Sequence, residues 1–159
     1  MIGGASAGGG LAAALAQRAH DAGLNVAFQL LVYPMLDDRT VPRAEANGEY
    51  TLVWSPKANR YGWTSYLNAE PGVGTPPPYA APARRVDLSG LPSAWIGVGS
   101  VDLFHDEDVE YAHRLVAAGV PCELYVAKGM PHGTNIGNDR PLAEAFNRSA
   151  LDALASAIG

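Results

Sequence analysis

At 159 residues the chain is one domain or part of one, and 48% hydrophobic with 17% charged residues is a globular balance that excludes a disordered chain. A formal net charge of −5 without any Lys/Arg cluster gives no reason to expect nucleic acid or an anionic membrane as partner. The single cysteine, Cys122, excludes an internal disulfide framework, and no run is long enough to span a bilayer. This usage fits a cytoplasmic protein, and Cys122, inside an apolar run, reads as a buried strand thiol.

Residues 1–5 read as the end of a strand, with no charged or apolar leader before them. A turn rich in glycine so close to Met1 leads us to expect further sequence upstream. Residues 7–22 are alanine-rich and predict a helix, with Leu11, Leu15 and Ala19 on one face and Gly23 as its stop. Residues 25–33 form a continuous apolar run that ends at Pro34, as a buried strand would. Residues 35–51 are polar and irregular. Residues 56–68 predict a helix carrying Tyr61, Trp63 and Tyr66.

The proline-rich stretch 70–92 predicts a long surface loop. Residues 94–101 predict another buried strand, and 106–118 a helix with Asp106 as N-cap and Gly119 as stop. Residues 123–127 predict a last strand. Pro141–Ile158 predicts an amphipathic helix with Leu142, Phe146, Ala150, Leu151 and Leu154 along one face. Strands alternating with helices predict an α/β fold, a mostly parallel sheet flanked by helices. Such sheets bind ligands at the carboxyl ends of their strands.

Three residues with chemical potential lie just past predicted strands. Ser6 sits in Gly4-Ala-Ser-Ala-Gly8, a G-x-S-x-G pattern between a strand and a helix. A sharp turn there holds the hydroxyl above the sheet, and the helix N-terminus with the Ala7 N–H favours an oxyanion. A chemically idle glycine turn is the competing reading. A phosphate loop is not, since neither G-x-G-x-x-G nor a following lysine is present.

Asp102 follows Trp95-Ile-Gly-Val-Gly-Ser-Val101 and is placed to orient a histidine, or else only to cap a turn. The neighbouring Asp106, Glu107 and Asp108 read as the negative first turn of the next helix. His132, in Gly129-Met-Pro-His-Gly133, is placed to act as general base, whereas His20, His105 and His113 fall in helical or capping contexts. The chain order Ser, Asp, His is the order of the α/β-hydrolases. The scattered histidines and the lack of H-E-x-x-H or C-x-x-C predict no metal site.

Several segments together resemble the hormone-sensitive-lipase-like esterases, the bacterial family IV group of α/β-hydrolases. They are Gly3-Gly-Ala-Ser-Ala-Gly-Gly-Gly10, Tyr33-Pro-Met-Leu-Asp-Asp-Arg39, Tyr79-Ala-Ala-Pro-Ala-Arg84, Asp87-Leu-Ser-Gly-Leu-Pro92, Gly97-Val-Gly-Ser-Val-Asp102, Asp106-Glu-Asp-Val-Glu-Tyr-Ala112 and Gly129-Met-Pro-His-Gly133. The resemblance implies that residues 1–159 are the C-terminal part of an α/β-hydrolase catalytic domain, from the nucleophile elbow to the closing helix. It implies Ser6 as nucleophile, His132 as base, Asp102 as its orienting acid and Ala7 as one oxyanion donor. It implies a structural polar network at Asp37, Asp38 and Arg39.

Short-acyl carboxylic esters are the expected small-molecule substrates, turned over through an acyl-serine intermediate without metal or cofactor. Two departures stand out. The H-G-G-G-type oxyanion loop and first strands of the family have no counterpart in this sequence, which would leave a sheet edge exposed at residues 1–5 and lower the activity of the isolated chain. Thr134-Asn135 also stands where the family usually has an aromatic or acidic residue after the histidine and glycine.

Two other readings remain. One is a prolyl-oligopeptidase-like serine peptidase, which shares the residue order. The other is a non-catalytic hydrolase-fold binding module, because fold alone does not establish function. A homodimer through the exposed last strand, 123–127, is also expected.

Overall fold

The computed structural model describes residues 1–46, 51–137 and 140–159. Four apolar runs form the strands of one sheet among these residues: β1 (Ile2–Ala5), β2 (Phe28–Val32), β3 (Ser93–Gly99) and β4 (Cys122–Ala127). The order is β1-β2-β3-β4 and every pairing is parallel. Ala5 lies beside Val32, Val32 beside Gly97 and Gly97 beside Tyr125. Both edges, β1 and β4, are unpaired in this sheet.

Parallel strands need crossovers, and these place helices on the sheet faces. Along β2, Leu31 points into a core built with α1 (Ala7–Asp21) and α4 (His105–Ala117). Phe28, Leu30 and Val32 point the other way, toward Trp95 of β3 and Phe146 of α5 (Pro141–Ile158). Fully buried Leu31, Ile96 and Leu115 each contribute about 1.5–3 kcal/mol by leaving water. Buried Gln17 of α1 donates to the Pro82 carbonyl and the Tyr111 hydroxyl, tying α1 to α4.

A third core, with Met35, Val41, Ala44, Trp63, Leu103 and Phe104, is built by α2 (Thr40–Ala46), α3 (Pro56–Leu67) and the turn after β3. Helix α2 corrects the expectation of an irregular stretch over 35–51. Its Pro42 lies in the first turn, where no intrahelical N–H is lost, so the proline does not forbid a helix. Residues 47–50 of that stretch lie outside the described residues. The long loop over 70–92 holds one regular element, a 3-10 turn at Pro82–Arg84.

Three further expectations are corrected. Leu11 and Leu15 are 56% and 51% exposed, because the face of α1 that packs on the sheet is its small-residue face, Ala12, Ala13, Ala16 and Ala19. Small residues allow the helix to approach the strands closely, and leucines do not. On α5 the buried face is Ala143 and Phe146, whereas Leu142 and Leu151 point outward. Phe104, not Asp106, holds the N-cap position of α4, and Asp106 lies exposed within the first turn. Cys122 is half-buried in β4, and burial pushes its thiol up to about 12, so it is an inert side chain.

The polar residues after β2 form a network, as the resemblance implied. Arg39 is bidentate to Asp37. Asp38, buried, is held by Arg84 at 2.7 Å and by the Gly72 N–H at 2.7 Å, which keeps its carboxyl below the usual range against the pull of burial. Removing one partner of such a pair leaves an uncompensated buried charge. Arg84→Ala is therefore expected to destabilise the fold by about 3 kcal/mol, read as a lower urea midpoint, whereas Arg60→Ala on the exposed Glu45–Arg60 pair is expected to change it little.

Candidate active site

Ser6 links β1 to α1 with φ 55° and ψ −125°, a conformation that residues with a Cβ rarely adopt. Three backbone hydrogen bonds hold it there. Its N–H donates to the Val32 carbonyl at 2.9 Å, and its carbonyl accepts from Gly10 N–H at 3.1 Å and Met35 N–H at 3.0 Å. Gly4 is required sterically, because a Cβ there would lie 2.2 Å from the Gly8 carbonyl oxygen. Ala7 is the first residue of α1, so its N–H has no acceptor within the helix.

Asp102 lies three residues past β3, and its N–H donates back to the Gly99 carbonyl at 3.1 Å. His132 lies five residues past β4, in a loop that passes over the end of β3. Gly99 makes that approach available, since a Cβ would meet the Met130 carbonyl oxygen at 1.8 Å. The sequence-predicted residues meet in a chain. Ser6 Oγ is 2.9 Å from His132 Nε2, and His132 Nδ1 is 2.8 Å from Asp102 Oδ2. The remaining Asp102 oxygen accepts from the Phe104 N–H at 3.0 Å. With Nδ1–H donating to the carboxylate, Nε2 is left to accept from the serine hydroxyl. Asp102 and His132 are both 6% exposed, so the pair is shielded from water.

Sequence reasoning passed over the residues that fix the imidazole. The rings of Tyr33 and Phe104 meet it edge-on at 4.7 and 5.2 Å, and Trp54 lies at 6.4 Å. The Tyr33 hydroxyl donates to Asn135 at 2.7 Å, and Asn135 donates to Asn147 of α5 at 2.8 Å. Asn135, noted only as a departure from the family pattern, thus ties the histidine loop to Tyr33, just past β2, and to α5. Burial and the Asp102 charge push the Tyr33 hydroxyl pKa up, so it stays a donor.

Glu107 stands in the first turn of α4, as read from the sequence, and takes a further part there: it is 3% exposed and accepts from the N–H groups of Leu36 and Asp37 and from the Thr40 hydroxyl. Desolvation pushes its carboxyl up to about 8. A pocket of about 290 Å³ opens at Ser6, lined by Ala7, Leu11, Met35, Trp54, Gly62, Trp63 and Tyr66. Its wall is mostly apolar, as a site for a small hydrocarbon group requires.

The description of the alpha/beta hydrolase fold family matches residues 1–136. The chain belongs to this family. It is 37% identical to the esterase LipI of Mycobacterium tuberculosis over 134 residues, covering 83% of this chain and 41% of LipI. It is 34% identical to the carboxylesterase NlhH of the same species, over 99% of this chain and 50% of NlhH. Among solved structures, a bacterial heroin esterase superposes with a TM-score of 0.90 at 37% identity, over 99% of this chain and 51% of that one. The esterase LipW from Mycobacterium marinum superposes with a TM-score of 0.81 at 33% identity, over 98% of this chain and 49% of LipW. The chain spans about half the length of the curated relatives it matches.

Gly99→Ala tests the approach of the histidine loop to β3. Forcing an extra methyl into that contact is expected to cost about 1–3 kcal/mol, and to displace His132 from Ser6. The measurement is urea unfolding beside labelling of Ser6 by a fluorophosphonate, with slower labelling expected even where the variant is fully folded.

Proposed function

We propose that the protein is a carboxylic ester hydrolase for short-acyl esters, with Ser6, His132 and Asp102 as a catalytic triad and an acyl-serine intermediate. The observation that carries this reading is the unbroken relay from Ser6 Oγ through His132 to Asp102, at 2.9 and 2.8 Å. In it His132 Nε2 takes the hydroxyl proton as Ser6 Oγ attacks the ester carbonyl. The carbonyl oxygen becomes an oxyanion, accepting from the Ala7 N–H at the positive end of α1. Collapse breaks the bond to the alcohol oxygen, which takes the proton from His132. Water then attacks the acyl-serine with His132 again as base, releasing the acid and restoring Ser6.

Asp102 stabilises the imidazolium formed in both halves and fixes its tautomer. The apolar pocket at Ser6 has room for a short acyl chain, and Gly62 and Met35 bound it. Relatives named as esterases favour an ester over the peptide bond of the peptidase reading.

Hydrolysis of p-nitrophenyl butyrate that disappears in Ser6→Ala, without cleavage of a peptide p-nitroanilide, is the expected result. A folded protein inert to both substrates and to a fluorophosphonate would sink the proposal in favour of a binding module. Asp102→Asn is expected to lower kcat by about 10⁴-fold, with little change in stability. Gly62→Val, whose side chain projects into the pocket beside Trp54, is expected to shift preference from butyrate toward acetate, read as the ratio of the two kcat/KM values.

A further inference from the structure

Three aromatic side chains wall the pocket at Ser6: Trp54, Trp63 and Tyr66. Gly62, Trp63 and Tyr66 follow one another at helical spacing on α3, and Trp54 stands just before that helix. Gly62 lines the same pocket, and the Trp54 ring lies beside it, since a Cβ at Gly62 would stand 3.4 Å from Trp54 Cζ2. Among the described residues, no Asp, Glu, Lys, Arg or His side chain lines this pocket. A charged group entering it would lose its water without gaining a partner.

Two of the rings are fixed in place. Trp63 is 1% exposed. Trp54 is tied at both its ring and its backbone. Its indole N–H donates to Oδ1 of the fully buried Asn59 at 3.2 Å. Its backbone N–H donates to the Leu52 carbonyl at 2.9 Å, and its carbonyl accepts from the Thr51 hydroxyl at 2.5 Å.

This placement is held against a backbone cost. Val53 has φ 70°, a conformation that β-branched residues avoid, and the bond from Trp54 N–H to the Leu52 carbonyl closes a γ-turn around it. Val53 is 71% exposed, so burial of its own side chain does not offset that strain. Strain of this kind persists only where the surroundings impose it. Here they impose the position of Trp54.

We propose that this pocket selects short acyl groups that end in a flat aromatic ring, with Trp54 as the residue that sets the selectivity. The inference rests on the reading of Ser6 as nucleophile and of this pocket as the acyl site. A phenylacetyl group carries its ring where a butyryl group carries the end of its chain. The aliphatic end gains there only by leaving water. The ring gains in addition from edge-to-face or offset contact with Trp54, Trp63 or Tyr66, a contribution that multiplies affinity by about twofold to tenfold beyond burial. A wall that is already rigid meets the ring without first being ordered, so little of that gain is lost. A saturated ring of the same size, thicker and without a π face, gains from burial alone.

The experiment compares p-nitrophenyl phenylacetate with p-nitrophenyl cyclohexylacetate in the parent, Trp54→Leu and Trp54→Phe. Each kcat/KM is divided by the rate of the same ester with hydroxide alone, which removes intrinsic reactivity. The parent is expected to favour phenylacetate by about twofold to tenfold, Trp54→Leu to bring the ratio close to one, and Trp54→Phe to keep most of the preference. A ratio of one or below in the parent overturns the proposal, and that measurement needs no variant to fold. A Trp54→Leu ratio equal to the parent's overturns the role of Trp54. Phenylacetone and cyclohexylacetone, neutral ketones that cannot be hydrolysed, probe the same pocket through quenching of tryptophan emission. Tighter binding of phenylacetone supports the selectivity, and equal or weaker binding overturns it. Failure to turn over any ester, butyrate included, strikes the hydrolase reading, while the two ketones still decide what the pocket selects.

Discussion

All four strands of the sheet run the same way, and that constraint governs the rest of the molecule. Parallel strands leave the sheet at one common end. Their connections must cross a face before returning, so α1 and α4 lie on one face, α5 closes the other, and the turns after all four strands gather at the carboxyl end. Ser6, Asp102 and His132 sit on the turns after β1, β3 and β4. The side chains supply the chemistry, but the strand direction makes them neighbours across 126 residues of sequence.

The turns would not converge without close backbone approach and specific anchors. Gly4 lets β1 fold sharply into α1, and Gly99 lets the histidine loop lie over β3. Glu107 and Asp38 work in the opposite sense, as buried carboxylates that gather backbone N–H groups and Arg84 around the segment after β2. That segment carries Met35, whose N–H holds the Ser6 carbonyl. The strained serine is thus braced from outside its own turn, which is where the energy to hold an unfavourable φ must come from.

Much of this was legible in the sequence, for identifiable reasons. The strands stood out as apolar runs, one of them stopped by Pro34, and Ser6, Asp102 and His132 each followed one. What failed was the inference of contact from side-chain size. Leu11 and Leu15 looked like the core face of α1, yet alanines hold that role, because the elbow demands a helix pressed against the strands. The acidic run Asp106-Glu-Asp108 does form the first turn of α4, yet the sequence did not announce that Glu107 is buried, because the backbone N–H groups it gathers come from a segment some 70 residues away. Tyr33, Phe104 and Asn135 were passed over for the same reason: each acquires its role only through a ring or amide contact formed after folding.

The 126-residue separation of Ser6 from His132 also has a kinetic meaning. Chains emerge from the ribosome at about 5–20 residues per second, so the serine turn is made many seconds before His132. Contacts of such high sequence separation must also await loop closure, which places the site among the last features of the fold to form. The Ser6 hydroxyl therefore has no imidazole beside it until β4 and the loop that carries His132 have been made and docked.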